Sequence, residues 1–245
     1  PIMAAAVVSA WGLRGTAYLA IPFVLMAAFL AVQLAGAGGG HAAAKAVPGA
    51  RTGEEQRDRW GPFAIVTGVV ILRSIIFYGL NTFIPLYWIH IYQQSATTAG
   101  TALSIMFGAG VVGTLWGGRL ADTYGHRRVV LAGYVALIPL LVLLVQLRDV
   151  VVATALLIPI GIVLLSTYSP LVVMGQHFLP NRVGLASGIT LGVAISIGGI
   201  VAPLLGHVAD GYGLPSALTV LSFLTVPAVL LTLMLPRPLK QGGKA

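Results

Sequence analysis

Along the whole chain, long apolar stretches of about membrane-crossing length alternate with short clusters of charge. A helix needs about 20 mostly apolar residues to cross about 30 Å of hydrocarbon. The runs that meet this are residues 16–35, 61–92, 98–118, 129–147, 150–175, 184–209 and 214–235. Pro1 to Ala10 is apolar as well and reads as the end of a further helix. The pattern predicts an all-α membrane protein with about seven full transmembrane helices and one N-terminal stub. Residues 36–60 are Gly-rich, then charged at Arg51, Glu54, Glu55, Arg57, Asp58 and Arg59. With no apolar period they read as a long loop.

Composition removes the soluble alternatives. The 245 residues are 58% hydrophobic and 8% charged, with a mean hydropathy of +0.95, whereas a soluble domain carries about 25% charged residues. A net charge of +8 could suggest a nucleic-acid partner, but the basic residues lie in alternate loops beside apolar runs, the pattern that sets membrane orientation. The partner implied is the lipid bilayer, not nucleic acid. There is no cysteine, so disulfides and thiolate chemistry are absent. The first residue is Pro1, with no initiator Met and no basic leader, and the chain is expected to begin inside a larger protein.

If the 36–60 loop is cytoplasmic, the inside segments hold Lys45, Arg51, Arg57, Arg59, Arg119, Arg127, Arg128, Arg182, Arg237, Lys240 and Lys244. The outside loops hold only Arg14 and Arg148. This asymmetry places the C-terminal tail, 236–245, in the cytoplasm. The single long loop then joins two bundles.

Gly118-Arg-Leu-Ala-Asp-Thr-Tyr-Gly125 and Gly206-His-Val-Ala-Asp-Gly-Tyr-Gly213 agree at five of eight positions, each at the end of a span. Three helices separate the copies, so they face opposite sides. An inverted pair of three-helix repeats predicts this, and alternating-access transporters use such a device.

The octet continues as Gly118-Arg119-Leu120-Ala121-Asp122-Thr123-Tyr124-Gly125-His126-Arg127-Arg128 and closely resembles the G-x-L-[AG]-D-x-[FY]-G-R-[RK] loop motif of the major facilitator superfamily. There it lies between the second and third helices of a six-helix bundle. The resemblance makes residues 61–235 the C-terminal six-helix bundle, 36–60 the inter-bundle loop, and 1–35 the end of the N-terminal bundle. In the family this loop is a cytoplasmic latch, so Asp122 is expected to meet a helix of the other bundle. Glycines at 117, 118 and 125 allow a tight turn, Asp122 can accept hydrogen bonds from a helix N-terminus, and Arg119, Arg127 and Arg128 can pair with carboxylates or lipid phosphates. A basic loop that only fixes topology is the plainer alternative. Arg73 to Tyr87, and Leu179 to Gly188 with the Gly-rich helix after it, are similar to the fosmidomycin-resistance-type exporters of that superfamily.

Candidate site residues follow from polarity at depth. Arg73 lies about a dozen residues into its span, near the bilayer midplane at 1.5 Å per residue, where a charge costs at least about 2.5 kcal/mol. Thr67, Ser74, Tyr78 and Asn81 fall within about 60° of one another on the helical wheel, with Arg73 at the edge of the stripe. Either Arg73 pairs with a carboxylate or carbonyl and locks the bundle, or its guanidinium attracts an anionic part of a small-molecule substrate. No acidic residue lies deep in a span, so an acidic partner would come from the N-terminal bundle of the parent protein. Gly79 and Pro85 can kink this helix. Tyr87, Trp88 and Tyr92 near its outer end read as an aromatic belt, and His177 as a solvated loop histidine. Gly184, Gly188 and Gly192 allow another helix to approach closely.

No HExxH, GxSxG, cysteine or buried carboxylate pair supports an enzyme, and no filter loop supports a channel. The expectation is a secondary transporter in a bacterial inner membrane, exporting drugs or small solutes as two six-helix bundles rock. No cofactor is expected, and the resemblance implies a proton gradient as driving force. An uptake carrier for an organic anion or sugar-like solute would share the same fold, and a non-transporting receptor or scaffold would differ by lacking flux.

Overall fold

The computed structural model describes residues 24–26, 29 and 57–236. The chain divides into two units, Pro1–Glu55 and Gln56–Ala245. In the first, Val24, Leu25, Met26 and Phe29 are helical and exposed. The expected stub, most of the 16–35 span, most of the 36–60 loop and nearly all of the tail lie outside the described residues.

The described part of the second unit is helical, with no strand. Its elements are α1 (Trp60–His90), α2 (Ala96–Tyr124), α3 (His126–Gln146), α4 (Val150–Ser166), α5 (Tyr168–Phe178), a 3-10 turn (Pro180–Arg182), α6 (Val183–Gly188), a π turn (Ile189–Val193), α7 (Ala194–Tyr212) and α8 (Leu214–Met234). Five segments are long and apolar enough to cross a membrane: α1, α2, α3, α4 with α5, and α8. The remaining expected span, 184–209, coincides with α6, the π turn and α7 in unbroken succession.

Local chemistry sets the boundaries. Ser95 caps α2 by accepting from the Thr98 amide at 3.2 Å. Asp149 caps α4 more strongly, its Oδ1 accepting from the amides of Val151 at 2.7 Å and Val152 at 3.0 Å, where an anion also meets the positive end of the helix dipole. The repeated octets end alike. Gly125 (φ 94°) and Gly213 (φ 87°) each form a one-residue turn between helices, and each donates its amide to the alanine four residues back, at 2.9 and 2.8 Å. Positive φ favours glycine, so the shared Gly ends the octet for a backbone reason.

Packing is centred on α1, which touches α2, α5, α7 and α8, while α8 also packs on α3. Phe83, Trp88, Ile76, Leu80, Tyr134, Met106 and Leu157 are fully enclosed. Large apolar side chains such as Val111, Leu115 and Trp116 on α2 and Phe223 and Leu230 on α8 are exposed, a surface suited to lipid or another apolar helix rather than water.

The closest helix contact joins α2 to α4. A Cβ on Gly113 would overlap the backbone of Ile162, one on Gly117 that of Ser166, and one on Gly161 that of Met106. Only hydrogen fits at these positions, as in the small-xxx-small seams of membrane helices. The seam expected at Gly184, Gly188 and Gly192 is not formed among the described residues, where nothing lies within 4 Å of an added Cβ.

The 150–175 run is not one helix. It breaks at Thr167 between α4 and α5, because Pro170 has no amide for the Ser166 carbonyl and its ring crowds that oxygen. Ser166 and Thr167 turn their hydroxyls back onto the carbonyls of Val163 and Leu164, both at 2.8 Å. By contrast α1 runs unbroken through Gly79 and Pro85.

Gly113→Val drives a branched side chain into backbone and is expected to destabilise the bundle by about 1–3 kcal/mol, read as a lower unfolding temperature in detergent. Gly108→Ala, with open space at its Cβ, should leave that temperature unchanged or raise it.

Candidate functional site

Arg73 stands thirteen residues into the 31-residue α1, about 20 Å from its start. It is only 7% exposed, and its Nε is buried without a hydrogen-bond partner. Aromatic faces surround the guanidinium instead of a carboxylate: Cζ lies 4.6 Å from the ring centre of Tyr168 on α5 and 5.6 Å from that of Phe77. Such contacts contribute about 2 kcal/mol when desolvated, which offsets part of the burial cost, and among the described residues the cation has no counter-ion. Tyr134 on α3, which lies close enough to act on Arg73 electrostatically, is fully enclosed, with the Thr167 side chain beside its hydroxyl. Four acidic residues are described, Asp58, Asp122, Asp149 and Asp210, and all lie at or beyond helix ends.

The rest of the polar stripe divides. Ser74 is 1% exposed and donates to the Val70 carbonyl at 2.8 Å; Thr67 donates to Phe63 at 3.0 Å. Both hydroxyl protons are therefore spent on the α1 backbone. Tyr78 is half-buried, its ring edge-on to Phe77 at 5.3 Å, and Asn81 is half-buried one turn beyond. The sequence pattern did not reveal that Tyr134 and Tyr168 join Arg73, since aromatic residues inside apolar runs carry no spacing signature.

The arginine-rich end is held by two clamps. In the first, Asp58 accepts from the Asn181 amide at 3.2 Å and lies 3.6 Å from Arg182 Nε. The Arg59 amide donates to the Phe178 carbonyl at 2.8 Å, while Arg182 lies over Trp60 at 5.6 Å and Arg59 over Phe178 at 5.9 Å. These contacts bolt the start of α1 to the end of α5. In the second, Arg127 donates through Nε to the Thr232 carbonyl at 3.1 Å and through its terminal nitrogen to Leu233 at 2.8 Å. A cation at the C-terminus of α8 satisfies orphan carbonyls and opposes the helix dipole. Among the described residues, Arg127 therefore serves a helix end, while Arg119 and Arg128 are exposed. Asp122 is also exposed, with His126 Nε2 at 3.9 Å. Gly118 and Gly125 complete the motif, the former near Ser169 and the latter at the turn.

The aromatic belt expected at the opposite end is a packed cluster. Tyr87 and Trp88 are 3% and 0% exposed. Trp88 donates to Thr154 at 3.2 Å, and Tyr87 and Tyr92 donate to the carbonyls of Val145 and Leu147 at 3.4 and 2.9 Å. Their rings meet edge-on or tilted at 5.2–6.3 Å. The cluster fastens α1 to α3 and α4 rather than facing lipid.

Compared with known proteins, residues 1–203 match the family model described as Major Facilitator Superfamily. Over 155 residues the chain is 34% identical to an uncharacterized MFS-type transporter, YfnC, of Bacillus subtilis (strain 168), covering 63% of this chain and 38% of the relative. Over 238 residues it is 25% identical to the fosmidomycin resistance protein of Escherichia coli (strain K12), covering 96% of this chain and 58% of that protein. The chain thus spans well under two thirds of either relative.

Arg127→Ala removes both hydrogen bonds to the end of α8 and should cost about 1–3 kcal/mol. Hydrogen exchange of the Ala228–Met234 amides is expected to quicken, while the Tyr87–Trp88 end keeps its protection.

Proposed function

The chain belongs to the Major Facilitator Superfamily, and we propose from this that it forms the C-terminal part of a secondary transporter that exports drugs or small solutes. In this reading two six-helix bundles rock about a central site, exchange with protons supplies the energy, and the protein sits in a bacterial inner membrane with the arginine-rich end in the cytoplasm. Similarity to the fosmidomycin resistance protein favours export over uptake. The observation that carries the site is Arg73, a cation in the membrane interior with no carboxylate beside it. A buried, uncompensated guanidinium gains most from a ligand that brings the missing negative charge and two acceptor oxygens. We assign Arg73 the recognition of an anionic substrate group, with Tyr134 as a second donor and Tyr168 as the ring that covers the site. Tyr78 and Asn81 extend the same helix surface, and the motif around Asp122 acts as the cytoplasmic latch against the other bundle.

The test is transport by the full-length parent carrying Arg73→Ala. Transport of anionic substrates should fall at least tenfold more than that of neutral ones, because a charge-assisted hydrogen-bonded pair is worth about 1.5–3 kcal/mol. Equal loss for both classes, together with a reduced folded yield, would show that Arg73 only locks the bundle.

Asp122→Asn tests the latch separately. Substrate binding should persist while the balance between inward-open and outward-open forms shifts, read from the labelling rate of a single cysteine near residue 123. Unchanged labelling would count against the latch.

A further inference from the structure

Both clamps at the arginine-rich end are internally bonded, one joining the start of α1 to the end of α5, the other joining α3 to α8. Spanning the space between them is a pair of imidazoles. His126, the first residue of α3, and His177, one residue before the end of α5, meet edge to face with ring centres 5.9 Å apart. His126 also has the Asp122 carboxylate at 3.9 Å.

We propose that His126 and His177 form a proton-binding pair that holds the end of α5 against the α2–α3 turn when at least one ring is neutral, and releases it when both rings are protonated. With both neutral, the edge of one ring meets the face of the other, the favoured aromatic arrangement. A first proton is accommodated, because Asp122 lies beside His126. A second proton places two cations side by side. Among the described residues Asp122 is the carboxylate that acts on His126, and it offsets one charge of the two; other charged groups sit at the same end of the bundle. From α2 come Asp122 and Arg119, from α3 Arg127 and Arg128, from the segment before α1 Asp58 and Arg59, and from the 3-10 turn Arg182. Asp58 is taken up by Arg182 and the Asn181 amide, which leaves Asp122 as the carboxylate facing the pair. Neither α4 nor the described part of α8 contributes an ionisable side chain. Histidine is the side chain whose ordinary titration, near about 6.5, falls in the physiological range.

The movement has a defined element. α5 is an eleven-residue helix, detached from α4 at Thr167, with His177 near one end and Tyr168, the ring over Arg73, at the other. The nine helical steps from one to the other span about 13 Å. Tilting α5 away from α3 at His177 therefore alters the cover over Arg73. The opposite end of the bundle stays fixed by the Tyr87–Trp88–Tyr92 cluster. What this does for transport rests on the reading of Arg73 above, whereas the proton-driven release does not.

The chain contains no cysteine, so spin labels on Thr123→Cys and Asn181→Cys in the full-length parent, cleared of any cysteine elsewhere, report the gap across the pair. Lowering the pH from 8 to 5 should convert the short distance to a longer one. The ratio of long to short should rise by up to about tenfold per pH unit for one proton taken up on release. His126→Gln with His177→Gln should hold the short distance at every pH, and His177→Lys should hold it at pH 8, with one positive charge present, and lose it on acidification as His126 alone gains a proton. No pH response in the parent, or a response that survives in the double Gln variant, would overturn the proposal. The His177→Lys result decides it if the double variant fails to fold. Proton-driven flux measured on the same preparations separates the two readings. Titrating distances without flux would remove the transporter reading and keep the pair; flux without titrating distances would do the reverse.

Discussion

A guanidinium at membrane depth, with no carboxylate among the described residues to neutralise it, constrains everything packed around Arg73. A charge in this position is tolerated only where it faces protein or a water-lined cavity, and here three helices bring rings to it: Phe77 from α1, Tyr168 from α5, and Tyr134 from α3 close by. Ring faces supply partial negative charge without proton chemistry, which is the basis for proposing that the guanidinium takes an anion. A structural arginine would be expected to meet a carboxylate or a run of carbonyls, and its Nε meets neither.

The surrounding architecture holds this centre firmly, and one of its walls is a short helix. The glycine seam between α2 and α4 brings backbone against backbone at Gly113, Gly117 and Gly161, a contact that tolerates no intermediate spacing because interiors are close-packed. The aromatic cluster at the end of α1 fixes α1 to α3 and α4. Against that frame α5 is short, separated from α4 by the Pro170 break, and carries Tyr168 directly over Arg73.

Much of this was legible in the sequence. Apolar runs of membrane length located the spans, since hydrocarbon thickness fixes the number of residues needed. The repeated octet marked both glycine turns, and the charge at position 73 marked the buried cation. Other features left no such trace. Pro170 sits in an apolar run whose hydropathy continues through it, so 150–175 read as one helix. Tyr87 and Trp88 read as a lipid-facing belt, because interfacial and packed aromatics look alike until burial is known. The glycines at 184, 188 and 192 signal that another backbone could approach, but spacing does not say which one, and the close approach occurs at Gly113 and Gly117. The partners of Arg73 lie 61 and 95 residues away along the chain, brought near only by the packing of α3 and α5.

The most direct measurement of the central claim is flux. In inside-out vesicles carrying the full-length parent, an imposed pH gradient should drive accumulation of an anionic solute, with a phosphonate such as fosmidomycin in the panel, and an uncoupler should abolish it. No gradient-dependent movement of any anionic solute in a folded, correctly inserted protein would contradict the account.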